Sequence, residues 1–295
     1  MSAITDYLSQ LQRELAAGNA TEHTHRPALK ALIEALAPGA QAVNEPRRVA
    51  CGAPDFIVLR GATPLGHVET KDVGVSLDVV ERSEQMARYL DGLGNLVLTD
   101  YLEFRWYVGG QHRLTACLGA LGAGNRLRRE SGGAGAVAEL LTAFMQAQAP
   151  TVSNAQDLAQ RMAGLARLVR DTIRATFAAE GGDPLDSPLH AQLASFRETL
   201  LHDLSPEQFA DMYAQTICYG LFAARVNAAD NQPFTRVAAA QALPKTNPFM
   251  RWLFGHIVGH DLDDRLAWAV DDLVDLLGRA DMAAILRDFG QRTRQ

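Results

Sequence analysis

Apolar side chains at Ile4, Leu8, Leu11 and Leu15 recur at helical spacing, which predicts an amphipathic first helix. A second is predicted over Thr24 to Leu36, where Leu29, Leu32, Ile33 and Leu36 share a face and Pro27 lies near the first turn. The period then shortens. Four apolar runs bounded by turn residues, Phe56–Leu59, Leu65–Thr70, Leu96–Thr99 and Glu103–Val108, read as strands. A helix from Leu77 to Leu93 separates the second run from the third. These helices and strands describe a compact α/β domain with a mixed sheet, ending near Leu118.

From Gly119 to Gly135 the string GALGAGNRLRRESGGAG mixes glycine with Arg126, Arg128 and Arg129, the composition of a flexible loop or domain junction. A short helix over Ala136–Gln146 and a break at Ala149-Pro150 follow. After Thr151 the strand signals vanish. Helical periodicity covers Asp157–Glu180, Leu189–His202, Pro206–Asn227, Pro233–Ala242, Pro248–His260 and Asp264–Gly278. The expected fold class is thus α/β then all-α: a mixed sheet flanked by helices over residues 1–118, a glycine-rich junction with a short helix over 119–150, and a helical bundle over 151–295.

Composition changes this picture little. No apolar run approaches bilayer length, and the start MSAITDYLSQLQRELAAG lacks the basic-then-apolar layout of a signal peptide. A soluble cytoplasmic protein without a membrane partner is expected. Cys51, Cys117 and Cys218 are odd in number and lack C-x-x-C spacing, which argues against a disulfide framework or zinc knuckle. The net charge of −6 is unevenly spread. Residues 1–130 carry 14 Lys+Arg against 15 Asp+Glu, and 131–295 the remaining 14 against 19, so a basic face for phosphate is sought in the front part. Lys30, Lys71 and Lys245 are lysines in a chain that otherwise uses arginine. At Lys71 a shiftable amine is chemically useful.

The informative stretch is CGAPDFIVLRGATPLGHVETK, read as a β-hairpin with Asp55 opening one strand and Glu69-Thr70-Lys71 closing the next. Side chains alternate along a strand, so Glu69 and Lys71 share a face while Thr70 points away. The tight connection Arg60–Pro64 brings Asp55 alongside. Two carboxylates converging with a lysine suit Mg²⁺, and the Thr70 main-chain carbonyl can complete the ligand set. Lys71 would then orient or deprotonate the attacking water. Surface charges on a solvated hairpin are the plainer alternative, but carboxylates placed within apolar strands cost ~2–7 kcal/mol if they have no partner. Three further residues fit the site. Gln85 and Tyr89 fall at i and i+4 on the next helix, and Glu22 precedes the second helix.

An acidic residue, thirteen positions, then Glu-x-Lys is the metal-site pattern of the PD-(D/E)xK nucleases. Asp55, Glu69-Thr70-Lys71 and Gln85-x-x-x-Tyr89 resemble the nuclease domain at the N-terminus of single-chain restriction–modification enzymes, as do the phrases NATEHTHRPA, GAPDF and GHVETKD. The resemblance covers residues 1–118. It implies a restriction-endonuclease-like fold and double-strand DNA cleavage dependent on Mg²⁺, with Mn²⁺ as substitute. Catalytic roles fall on Asp55, Glu69, Lys71, Gln85 and Tyr89, and metal ligation on Asp55, Glu69, Thr70 and Glu22; beyond the resemblance, the cluster Arg126, Arg128 and Arg129 is the expected DNA contact. NLVLTDYLEFRWY looks like the closing hairpin of that domain.

In the helical part, YAQTICYGLFAARV, LPKTNPFMRWLF and WAVDDLVDLL are similar to the helical region that precedes adenine-N6 DNA methyltransferases fused to such nucleases. Asn247-Pro248-Phe249 has one proline where the methyltransferase signature has two, no glycine-rich cofactor turn precedes it, and Gly181-Gly182 and Gly132-Gly133 lack strand-to-helix context. No P-loop is present. The layout looks like the Type IIG arrangement, cut before a methyltransferase begins. It implies a downstream methyltransferase and specificity domain or subunit as partner, with S-adenosylmethionine as cofactor only when that domain is present. A nuclease in another DNA-processing or defence role, or a non-catalytic DNA-binding scaffold, are the competing readings.

Overall fold

A computed structural model describes residues 3–18, 20–44, 53–61, 63–147, 151–180, 187–199, 201–228, 233–242, 254 and 262–292. Cys51, Gly181-Gly182, Lys245, Asn247-Pro248-Phe249 and most of the helix expected over Pro248–His260 lie outside these residues. The described residues divide into two compact units, one from within 1–45 and 54–149, the other from within 46–53 and 150–295.

The first unit opens on helices α1 (Ala3–Ala16) and α2 (Glu22–Leu36). Strands β1 (Ala40–Asn44), β2 (Phe56–Arg60) and β3 (Thr63–Thr70) follow, then helices α3 (Leu77–Glu81) and α4 (Glu84–Gly92). Strands β4 (Asn95–Thr99), β5 (Glu103–Val108) and β6 (Gln111–Cys117) complete a six-stranded sheet whose spatial order is the chain order. Neighbours are antiparallel except β3 and β4, which run parallel because α3 and α4 carry the chain back across the sheet. The sheet is therefore mixed. Tyr7, Leu11, Leu29, Ile33, Val58, Val68, Val97, Phe104, Leu140 and Phe144 share one core, so α1, α2 and α5 (Gly133–Gln146) cover one face. On the opposite face Arg105 reaches Asp78 and Glu81 of α3, each at 2.7 Å.

Three local departures from the expected elements have physical causes. The helix expected over Leu77–Leu93 is two helices, because the Ser83 hydroxyl accepts from the Met86 amide at 3.2 Å and starts a new one. Strands β1 and β6 carry no apolar run: β1 is short and alanine-bearing, and β6 is an edge strand exposed from Gln111 to Thr115. The stretch Gly119–Gly135 forms a two-stranded ribbon, β7 (Gly119–Leu121) with β8 (Leu127–Arg129), and opens α5. Its glycines serve close backbone approach more than flexibility. A Cβ on Gly119 would meet the Arg128 carbonyl oxygen at 2.0 Å, and one on Gly133 the Cys117 carbonyl oxygen at 2.1 Å.

The second unit is helical: α6 (Ala155–Glu180), α7 (Pro188–Thr199), α8 (Pro206–Asn227), α9 (Arg236–Ala242), α10 (Asp264–Gly278) and α11 (Met282–Arg292). Pro206 at the first position of α8 and a capping box between Ser205 and Gln208 fix where that helix begins. Phe177, Phe196, Phe209 and Tyr213 stack with ring centroids 5.3–5.9 Å apart and knit α6, α7 and α8 together. No described helix is long and apolar enough to cross a membrane.

Candidate active site

Strands β2 and β3 pair in register from Phe56 opposite Val68, with a bulge at Val58/Leu59. Beyond that pair β2 has no further ladder residue to offer Thr70, and a side chain takes the place of backbone. Asp55 Oδ2 accepts from the Thr70 amide at 2.7 Å and lies 2.7 Å from the Thr70 hydroxyl. Its other oxygen accepts from Arg26 Nη2. The same Arg26 nitrogen donates to Glu22 Oε1 at 2.6 Å, four residues back along α2. Glu22 Oε1 also lies 3.1 Å from the Thr70 hydroxyl. That hydroxyl has one proton, so it serves Asp55 or Glu22 but not both. Thr70, which alternation sends away from Glu69, is thus drawn into the cluster from the α2 side.

On the opposite side of the strand end, Lys71 Nζ donates to Glu69 Oε1 at 2.6 Å. The Lys71 amide is pinned to the Thr99 carbonyl of β4 at 2.9 Å. Glu69 Oε2 is buried with no hydrogen-bond partner among the described residues. Burial, then the neighbouring charges of Asp55 and Glu22, push the Glu69 carboxyl up to about 8 against the pull of Lys71. Burial also raises Asp55, in spite of the Thr70 donors and Arg26. For Lys71, burial works downward, but Glu69, Asp55 and Glu22 outweigh it and the ammonium holds its proton above the ordinary range. Three carboxylates, Glu22, Asp55 and Glu69, face two cations, Arg26 and Lys71.

The turn after β4 buttresses this strand end. Asp100 is buried and accepts from the amides of Leu102 (3.0 Å), Glu103 (2.7 Å) and Gly74 (3.0 Å), tying the segment after Lys71 to the β4–β5 turn. Tyr101 is held at a φ of 73°, strained for a side chain of its size, and its hydroxyl donates to the Glu22 carbonyl at 2.6 Å. The start of α2 is thereby fixed over the hairpin. Glu22 Oε1, Arg26, Asp55 and Thr70 form a continuous polar chain that sequence spacing shows only in part. Arg26 and Tyr101 escape a motif search. The one signal for Arg26 is its i+4 spacing from Glu22.

Gln85 Nε2 donates to the Tyr89 hydroxyl at 3.0 Å on α4, so the two expected partners meet. That bond joins them to each other, not to Glu69 or Lys71. Arg126, Arg128 and Arg129 are exposed on and beside β8. Gln12 of α1 anchors their ribbon, accepting from the Leu127 amide at 2.8 Å and donating to the Asn125 carbonyl at 3.3 Å. Among the described residues no group of three or more His, Cys, Asp or Glu side chains is set to hold a metal ion. At the strand end Arg26 Nη2 lies between Glu22 and Asp55. Glu69 Oε2 is an oxygen donor there without a hydrogen-bond partner among the described residues.

No family model and no curated protein matches the chain. Among solved structures it is similar to a chain described as a cryo-electron-microscopy structure of a DrdV–DNA complex, at 21% identity and a TM-score of 0.39, over 49% of this chain and 96% of that one.

Proposed function

We propose that the first unit is a divalent-metal-dependent DNA endonuclease, the nuclease module of a restriction–modification protein. One observation carries the reading. The β2–β3 hairpin delivers Asp55, Glu69 and Lys71 to one strand end, where Glu69 keeps a buried carboxylate oxygen without a hydrogen-bond partner among the described residues. A hairpin with purely structural work would place an apolar side chain there, as it does at Val68. An excess of buried carboxylate, a lysine at its edge and an orphaned oxygen fit a hard divalent cation.

Asp55, Glu69 and the Thr70 carbonyl would hold Mg²⁺, with Glu22 beside them and Mn²⁺ as a substitute metal. When bound, such an ion neutralises charge on the phosphate and lowers the pKa of a coordinated water. Lys71 carries its proton beside Glu69, so it enters the reaction as a cation. Its flexible stem lets the ammonium leave Glu69 and orient the attacking water against phosphorus. Gln85 would serve phosphate oxygens from α4, with the buried Tyr89 hydroxyl accepting from it, and Arg126, Arg128 and Arg129 would contact the DNA backbone. The second unit is the helical region that couples this nuclease to a methyltransferase and specificity domain, which would bring S-adenosylmethionine with it.

Supercoiled plasmid incubated with the protein and Mg²⁺ should be cut, and chelation should stop the cutting. The Lys71→Ala variant should cut at least ~10²-fold more slowly. Cleavage by the wild type that persists in chelator, or an unimpaired variant, overturns the reading.

A further inference from the structure

Arg26 is bonded unlike Arg105 and Arg265, two other partly buried arginines of this chain. Arg105 spends all three guanidinium nitrogens, on Glu103, Glu81 and Asp78. Arg265 likewise engages Asp263, Glu180 and Ser187 with its full fork. Among the described residues Arg26 instead uses a single nitrogen, Nη2, to bridge Glu22 Oε1 and Asp55 Oδ1, while its Nε is buried with no hydrogen-bond partner. One donor atom between two carboxylates is the arrangement of a cation shared by two ligands, not of the bidentate fork that locks an arginine in place. The side chain sits one turn into α2, on a long stem beside the strand end.

We propose that Arg26 is the built-in occupant of the cation position between Glu22 and Asp55, so that a divalent ion enters the site by displacing its guanidinium from Asp55. The proposal rests on the metal site of the nuclease reading and adds a competitor to it. In the metal-free protein Arg26 offsets the repulsion of Glu22 and Asp55 and keeps the start of α2 seated on the hairpin. Once the ion is seated, Arg26 swings out on its stem with its whole fork free for an anion such as phosphate. No covalent bond is made or broken in this exchange. The exchange is of one cation for another. Metal affinity is consequently lower than the ligand set alone would give, because each binding event must break the Arg26–Asp55 contact.

The test is a calorimetric titration of Mn²⁺ into the chelator-stripped full chain, as wild type, Arg26→Met and Arg26→Lys. Methionine keeps the apolar stem and removes the charge. The expected result is a Kd for Arg26→Met at least roughly ten-fold lower than wild type, with Arg26→Lys between them, since an ammonium cannot span both carboxylates as well. Metal-free Arg26→Met should also melt earlier than wild type, and Mn²⁺ should restore more of its Tm. Wild type that binds Mn²⁺ and an Arg26→Met variant that binds equally or more weakly would overturn this inference while leaving the metal site standing. If no variant binds Mn²⁺, the nuclease reading itself fails and this inference falls with it. Should Arg26→Met not fold, judged by its circular dichroism, Arg26→Lys decides by the same comparison.

Discussion

At the scale of single residues, Glu69 is the most informative side chain because its protonation state links folding to the site. Its carboxyl titrates near 4.5 when free and about 8 in the folded chain. The folded state therefore binds that proton more tightly. The stability this gives is full below about pH 4.5 and is lost as pH rises toward 8. Urea unfolding without metal should show wild type losing stability relative to Glu69→Gln between pH 5 and 8, the variant lacking this titration. A constant difference across that range would mean that Glu69 is charged throughout. Since a ligating carboxylate must be deprotonated, metal binding near neutral pH should release protons, detectable as a dependence of binding enthalpy on buffer. Lys71→Ala should leave stability within about 1 kcal/mol of wild type, because Lys71 is partly exposed and the buried Glu69 carboxyl, raised to about 8, can hold a proton in its place. Gln85→Ala should lower the cleavage rate more than it weakens DNA binding, and an equal loss in both would assign Gln85 a structural role. Asp55, Glu69, Thr70 and Lys71 are legible in the sequence because strand alternation and hairpin closure are local rules. Arg26 and Tyr101 are not, since they join the cluster through the packing of α2 and the β4–β5 turn onto a strand 29 or more positions away in sequence from Arg26.

At the scale of elements, the apolar runs at β2 to β5 mark the inner strands of the sheet, and the structure forms a strand at each. The two strands without such runs are edges, where one side faces solvent and polarity is tolerated. The joint that sequence hides is Asn95. Its Nδ2 donates to the Leu65 carbonyl at 2.7 Å and the Phe144 carbonyl at 2.9 Å, and its Oδ1 accepts from Trp106 Nε1 at 2.7 Å. One buried amide thereby fastens β3, β5 and α5 to the start of β4. Asn95→Ala would leave the Trp106 N–H and two carbonyls unpaired, and should cost about 2–4 kcal/mol in urea unfolding. A loss below about 0.5 kcal/mol would show that water takes over these bonds. Helix α5 belongs to this joint as well, which is why the glycine-rich stretch before it is built into the first unit instead of trailing free. Composition alone reads glycine as flexibility, whereas Gly119 and Gly133 are places where two backbones touch.

At the scale of the whole molecule, the switch from mixed sheet to helices is legible because it is a change of period sustained over more than a hundred residues. The role of the helical unit is less legible, since core helices of many proteins share the same pattern of apolar stripes. Its proposed place beside a methyltransferase predicts that this 295-residue chain does not itself bind the methyl donor. Calorimetry with S-adenosylmethionine should give no saturable heat. A micromolar binding isotherm would show that the helical unit carries a cofactor site of its own.

The central claim is that one strand end holds a divalent ion between Asp55 and Glu69. Crystals soaked in Mn²⁺ and measured for anomalous scattering test it most directly. The account predicts a single strong peak at the end of β3, with Glu69 Oε2 and an Asp55 oxygen at about the 2.0–2.1 Å typical of such hard cations. Arg26 should be turned away from Asp55 in the same map. A peak elsewhere on the chain, or an empty strand end with Arg26 still bridging Glu22 and Asp55 at saturating Mn²⁺, would contradict it.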